Sequence, residues 1–443
     1  MPAARTPRAR SRVSITRMTE PSLADWLARL EALHPREIEL GLDRVASVAA
    51  HLHLLAPSAP VITVAGTNGK GSVVGALEAL LTHKGLCVGV YTSPHLLRFN
   101  ERIRIGSRNV DDTDIVAAFE AIDAARGNVS LTYFEFATLA GLFLFKQRDV
   151  DVVVLEVGLG GRLDAVNIID PSVAVITSIA LDHQDWLGDS LDAIAREKAG
   201  ILRPAIPAVI ACNAPPAGLT AAVEESGARA HWLGEAFGVE SAAGGWAGWL
   251  AGAGGEQRRL PVIHNPALLA QNLCAALQAL ECLGMSASDT ELLEVLPALQ
   301  LPGRRQQVTV GGVRVLLDVA HNPAAVARLD DFLEAEPCEQ KTIAVFSAMA
   351  DKDIAAMLEL IKHHVDAWFL ADQPGNARAA SAASIAAQLR HAGVSMISVS
   401  RNLRQALARA RSVAAPGDRL LVFGSFHTVA AALTWLSREQ EKA

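Results

Sequence analysis

Val61-Ile-Thr-Val-Ala-Gly-Thr-Asn-Gly-Lys-Gly-Ser72 decides how this chain is read. An apolar, β-branched run stops at a glycine-rich turn with one lysine and one hydroxyl, and the alanine- and leucine-rich stretch 73–81 follows with helical character. Strand, phosphate loop and helix in that order cradle a nucleotide triphosphate. Gly66, Gly69 and Gly71 let backbone N–H groups close on phosphate oxygens, Lys70 supplies a point charge, and Ser72 can reach a magnesium ion. Gly71 stands between the lysine and the hydroxyl, so the spelling departs from G-x-x-x-x-G-K-[ST]. The alternative, an ordinary glycine-rich βα turn, is the weaker reading because strand and helix flank the loop as phosphate binding requires.

Outward from the loop, apolar runs at 61–65, 87–91, 150–157, 173–179 and 208–211 read as buried strands, and 114–125, 134–146 and 191–199 as helices between them. Alternating βα units predict a parallel sheet covered on both faces. Residues 241–255, rich in Gly and Ala, break the pattern as a peripheral hairpin or loop, and a helix over 267–283 follows. The turn-rich Leu301-Pro-Gly-Arg304 is a junction, beyond which strands at 313–319, 342–346, 367–371, 396–399 and 419–423 restart the alternation. The predicted fold is α/β: a P-loop parallel-sheet ATPase domain over 21–301 and a smaller Rossmann-like domain over 302–443, with the ligand cleft between them. A chain of 443 residues is long enough for both.

Composition narrows the function classes. Apolar residues make up 51% and charged residues 20%, which is globular. A net charge of −7 argues against nucleic acid as the main partner. Cys87, Cys212, Cys274, Cys282 and Cys338 are odd in number and never in C-x-x-C spacing, as in reduced cytosolic thiols. No apolar run is long enough to span a bilayer. Arg5, Arg8, Arg10, Arg12 and Arg17 make 1–20 basic; it reads as a mobile tail, with a targeting segment as the alternative. The expectation is a cytoplasmic monomer.

Several polar residues fall just past strands, on the edge that carries the phosphate loop. Glu156 ends one strand and could meet magnesium beside Ser72, or pair with Arg162. His183 follows another and could be a metal ligand or an orienting group. Ser93, in Tyr91-Thr-Ser-Pro-His95, could be an oxygen ligand. Lys198, in Arg196-Glu-Lys-Ala-Gly200, reads only as a helix-end cation. Asp318 and Ala320-His321-Asn322-Pro323 form the matching rim of the second domain, with Ser425-Phe-His427 beside it; the acid could hold a ribose.

These segments together resemble the Mur ligase superfamily, and within it the folylpolyglutamate synthase/dihydrofolate synthase branch. The resemblance rests on A-G-T-N-G-K-G-S (65–72), Y-T-S-P-H-L (91–96), L-T-Y-F-E (131–135), L-E-V-G-L-G-G-R-L-D (155–164) and T-S-I-A-L-D-H (177–183). R-E-K-A-G-I (196–201), L-P-G-R (301–304), D-V-A-H-N-P (318–323) and G-S-F-H-T-V-A (424–430) extend it. It implies that Thr67, Asn68, Gly69, Lys70, Gly71 and Ser72 cradle ATP, with Asn272, Arg304 and Asp318 completing the nucleotide site. Ser93, Glu156 and His183 become magnesium ligands, two ion sites and a potassium ion being the implied set. Lys198 matches a lysine that the superfamily carries as a carbamate. Glu39, Leu40, Gly41, Leu42, Thr132, Tyr133, Phe134, Glu135, Leu163, Asp164 and Ala165 match pterin-binding segments, and His321 and Ser425 the glutamate or phosphate side. Two departures stand out: Ser72 replaces a common threonine, and Leu-Ala-Gln-Asn (269–272) is an unusual spelling before Asn272.

The implied activity is ATP-dependent amide ligation. L-glutamate joins dihydropteroate or tetrahydrofolate through an acyl phosphate, with Lys70, Glu156, His183, Lys198 and His321 as the catalytic set. A ligase acting on cell-wall precursors and a nucleotide-binding switch without ligase activity are the rival readings.

Overall fold

The structure, a computed structural model, describes residues 21–34, 39–252 and 254–440. The basic stretch 1–20 lies outside them. The first sheet has eight strands: β1 (Val61–Ala65), β2 (Val88–Tyr91), β3 (Ile103–Ile105), β4 (Arg108–Asn109), β5 (Val152–Glu156), β6 (Val173–Ile176), β7 (Pro207–Ile210) and β8 (Arg229–Trp232). Their order is β4-β3-β2-β5-β1-β6-β7-β8. From β2 to β8 all neighbours are parallel, so β1, β2, β5 and β6 end on one edge. β3 and β4 add an antiparallel margin, which departs from the all-parallel expectation. They are too short to show a periodicity in the sequence.

Side-chain alternation along β1 builds two cores. Ile62 and Val64 face one layer with the helix Lys70–His83, while Val61 and Ala65 face another with the helix Tyr133–Gln147. The helices Leu23–Leu33 and Asp43–His51, not read from the sequence, cover the second layer through Trp26, Leu30, Val45 and Val48.

Residues 241–251 hold a hairpin, taking in the end of one strand and the whole of the next. β9 (Gly238–Ala242), β10 (Gly245–Ala251) and β11 (Gln257–Ile263) form an antiparallel three-stranded sheet. Trp246 and Leu250 are buried at alternate positions of β10, and this period of two is what the glycines mask.

The third sheet is built from residues after the 301–305 connection: β12 (Gln306–Val310), β13 (Val313–Leu317), β14 (Thr342–Phe346), β15 (Ala367–Ala371), β16 (Ile397–Ser400) and β17 (Arg419–Phe423). The order is β12-β13-β17-β14-β15-β16, parallel except for β12. β12 turns into β13 through Gly311 and Gly312, at φ of 55° and 77°, the two positive values that a tight hairpin demands. Its one face is exposed, so its sequence lacks the apolar run that marks the other strands.

Candidate active site

The strand ends of both sheets meet across one cleft. It encloses about 1160 Å³, open solvent at its mouth included. Gly66 to Ser72, Ser93, Glu156, His183 and Lys198 line it from the first sheet, Arg304 from the junction, and Asp318 and His321 from beyond it. Asn272, the residue with the unusual context, lines it too. Its amide packs on Gly69, where a Cβ would lie 2.7 Å from Nδ2, and Gly69 itself has φ of 93°. That left-handed residue starts the helix Lys70–His83 and points the loop at the cleft.

Lys70 Nζ donates to the carbonyls of Gly66 (3.0 Å) and Thr67 (3.3 Å). Burial holds its pKa below the ordinary lysine value, against the pull of Glu156. Glu156, also buried, has its pKa raised by desolvation and opposed by Lys70 and Arg304. Arg162 pairs instead with Glu197 at 2.7 Å, which removes the alternative partner for Glu156. His183 sits at φ 53°, an uncommon conformation for a non-glycine residue, and burial lowers its pKa to about 4. Its imidazole is therefore neutral at pH 7, the form that ligates a metal. A carboxylate, the hydroxyls of Ser72 and Ser93 and one neutral imidazole make a mostly hard-oxygen donor set, which fits a divalent ion of the magnesium or manganese type.

Lys198 is the most distinctive group. The wall 158–161 lies against its helix so closely that a Cβ on Gly161 would meet the carbonyls of Glu197 and Lys198 at 2.8 Å. Its Nζ donates to the Gly66 carbonyl at 3.1 Å. Burial, and then the like charge of Lys70, lower its pKa to about 7. The sequence alone read it as a helix-end cation; its burial is what separates it from one.

Asp182 was missed by the sequence reading. Burial pushes its pKa up, but the hydrogen bond and charge of His321, then the charges of Lys352 and His183, bring it well below the usual range. Lys352, in the loop between β14 and the helix Ile354–Ile361, forms a buried ion pair with it. His321 donates from Nδ1 to the Val319 carbonyl (2.8 Å) and sets Nε2 3.4 Å from Asp182 Oδ2. Asp318 accepts from the amides of Arg305 (3.0 Å) and Ala320 (2.8 Å), and burial raises its pKa. Arg304 lies over the Phe426 ring at 5.2 Å. Phe426, from the Ser425-Phe-His427 rim, also lines the cleft, as do Arg305 and Arg328, which carried no signal in the sequence.

The pterin-matching residues are not part of this lining. Thr132 and Glu135 cap their own helix reciprocally, at 3.2 Å and 2.7 Å. Arg44 bridges Glu39 to Glu135, which lies 3.2 Å away, so two of the matched segments meet through a cation. Asp164 accepts from Gly158 N (3.0 Å), Leu159 N (2.8 Å) and Val166 N (3.1 Å) and so shapes the cleft wall, while burial raises its pKa to about 6. Phe134 packs on Gly158, where a Cβ would meet its ring at 2.6 Å. Ser425 is buried, bonded to Thr428 Oγ1 at 2.8 Å, and does not line the cleft.

Comparison with known proteins finds two family models along the chain. The model of the Mur ligase middle domain matches residues 64–236, and that of the Mur ligase glutamate ligase domain matches 303–426. The dihydrofolate synthase/folylpolyglutamate synthase of Escherichia coli (strain K12) is 44% identical over 408 residues, 92% of this chain and 94% of that protein. That of Haemophilus influenzae is 41% identical, covering 92% and 96%. The solved structure of E. coli FolC in complex with DHPP and ADP superposes with a TM-score of 0.89 at 42% identity, covering 95% of this chain and 98% of that one. A bifunctional folylpolyglutamate synthase/dihydrofolate synthase with Mn, AMPPNP and L-glutamate bound gives 0.86 at 43%, covering 94% and 98%. Two sheets whose strand ends meet at one glycine-rich loop, and this similarity along almost the whole chain, place it in one family: the chain belongs to the dihydrofolate synthase/folylpolyglutamate synthase family of Mur ligases.

Proposed function

We propose that this chain is an ADP-forming ligase that adds L-glutamate to dihydropteroate, giving dihydrofolate, and to tetrahydrofolate, giving polyglutamates. One observation carries the reading: Lys70, Glu156 and His183, from three different strand ends, share a cleft with Arg304 from the junction and Asp318 from beyond it. Residues 21–301 would form the nucleotide and pterin unit, and 302–443 the closing unit.

The substrate carboxylate attacks the γ-phosphorus of ATP, and the bond to the β–γ bridging oxygen breaks to release ADP. The glutamate amine then attacks the acyl carbon of the acyl phosphate, the C–O bond breaks, phosphate leaves, and the amine gives up a proton to solvent. Magnesium, when bound, neutralises charge on the transferring phosphoryl group. Ser72, Ser93, Glu156 and His183 would hold it. Lys70 turns from the carbonyls of its own loop to the phosphates, Thr67 to Ser72 cradle them, and Asn272, Arg304 and Asp318 complete the nucleotide site. The segments 39–42, 132–135 and 163–165 take the pterin, and His321 faces the incoming glutamate. Lys198, buried and half neutral near pH 7, can add CO₂ and lose a proton, which replaces a cation beside Lys70 with a carboxylate-like anion. A potassium ion completes the implied ion set. Scattered free cysteines fit a cytoplasmic protein and the negative net charge fits small-molecule substrates over nucleic acid, with a monomer as the default. Among the described residues, no helix is long and apolar enough to cross a membrane.

The test is ADP formation with dihydropteroate, and separately with tetrahydrofolate, each with and without L-glutamate. Release that needs both the pterin acid and glutamate supports the reading. ATP hydrolysis independent of both would point to a nucleotide switch, and turnover with a muramoyl nucleotide to a cell-wall ligase.

A further inference from the structure

On the helix Pro323–Ala335, Asp330 and Glu334 are four residues apart and so share a face. Across from them runs the short turn Lys362–His364, which carries two adjacent histidines. The rings of His363 and His364 stack with centroids 4.1 Å apart. One ligand atom each from Asp330, His363 and His364 falls within 4.8 Å of the others. Asp330 Oδ1 is 3.1 Å from His364 Nε2 and 3.5 Å from His363 Nε2. Glu334 Oε1 is 3.3 Å from His363 Nε2 and 3.7 Å from His364 Nε2.

We propose that Asp330, His363 and His364, with Glu334 as fourth ligand, form a binding site for a zinc-class divalent transition metal, separate from the nucleotide cleft. None of the four lines that cleft. The spacing carries the argument. In a tetrahedral zinc site with N and O ligands at about 2.0–2.1 Å, the donor atoms stand about 3.3–3.4 Å apart. The four imidazole-to-carboxylate distances straddle that value, while Glu334 stands outside the mutually close set of Asp330, His363 and His364 and would turn in to close the shell. Two imidazole nitrogens with two carboxylate oxygens are also a donor set suited to zinc over magnesium.

A second observation separates this arrangement from a pair of ordinary surface ion pairs. Asp330 Oδ1 and His364 Nε2 are both shielded from solvent, face each other at 3.1 Å, and find no hydrogen-bond partner outside this cluster. Buried polar atoms normally find partners, because leaving one without costs about 1–3 kcal/mol. An ion between them would satisfy both. It would also tie the helix Pro323–Ala335 to the turn that leads into β15.

The test uses the untagged full chain, stripped with chelator and dialysed against Zn²⁺ in excess Mg²⁺. One zinc per chain should be retained, and Co²⁺ in its place should give the intense visible bands of four-coordinate cobalt. Both signals should vanish in the double variant His363→Ala/His364→Ala, weaken about tenfold or more in Asp330→Asn, and persist in Glu156→Gln. His364→Gln serves if the double variant misfolds, and should lose the cobalt bands while keeping the wild-type circular dichroism. No retained zinc, weak six-coordinate cobalt bands, or equal retention by the histidine variants would overturn the proposal.

Discussion

Asn68 of the phosphate loop and Asn322 of the opposite lobe exchange two amide hydrogen bonds, each 3.0 Å long. Asn322 also donates to Asp182 Oδ2 at 2.9 Å and accepts from Ala325 N at 2.9 Å, so one side chain caps a helix and clasps the two lobes together.

Asn322→Asp separates those roles. An aspartate keeps the helix cap but sets a second carboxylate against Asp182. The melting temperature should move by only a few degrees, whereas kcat/KM should fall about tenfold or more at pH 8 and partly recover as the pH is lowered and the carboxylate pair takes up a proton. A pH profile of ADP release checks this; a flat, wild-type profile would show that turnover does not need the clasp.

Lys352→Met tests the ion pair beneath it. The two side chains are 5% and 6% exposed, so removing the cation leaves a buried carboxylate with His321 as its nearest compensation. Breaking such a pair typically costs about 3–5 kcal/mol. Urea unfolding should register a loss on that scale, and a change under 1 kcal/mol would mean that the pair contributes little (about the worth of a surface pair).

Lys70→Ala and Glu156→Gln should each lower kcat by about 10²–10³ while leaving the far-ultraviolet circular dichroism unchanged. The Glu156 variant should in addition need more divalent metal for half-maximal rate, since a ligand is lost; the Lys70 variant should not. Near-normal turnover in either would reject its assigned role.

Lys198 gives a pH dependence whose sign can be worked out. Its folded pKa of about 7 lies below the ordinary 10.5, so between those values the unfolded chain binds more protons than the folded one. Stability contributed by this group should therefore rise with pH across that window, by at most about 1.4 kcal/mol per unit, and be smallest below pH 7. In CO₂-free buffer Lys198→Met should flatten that slope. With ¹³C-bicarbonate, the wild-type chain should show a carbamate carbon resonance that the variant lacks.

The sequence carried the parts of this site that are written locally. The run 61–72 and the acids and histidine just past buried strands are contiguous signals, because a parallel sheet collects its strand ends on one edge. Arg304, Asn272 and the pterin-matching segments needed the family resemblance, and Thr132 with Glu135 shows why: their visible chemistry is a helix cap, which any helix can use. Asp182, Asn322 and Lys352 pair across the two lobes, and no spacing within one segment encodes such a meeting. β12 escaped for a different reason, since an exposed edge strand has no apolar run to read, although its Gly311-Gly312 turn was there to be seen.

Arg304 belongs to the short connection on which the closing lobe is mounted, yet its guanidinium stands inside the nucleotide cleft. Gly303 and Arg305 on either side hold φ of 66° and 43°. If nucleotide binds there as proposed, a swing of that lobe would carry a positive charge toward or away from it. Opening and product departure would then be one mechanical event, and a longer connector at 301–305 should uncouple them even with every contact residue left intact.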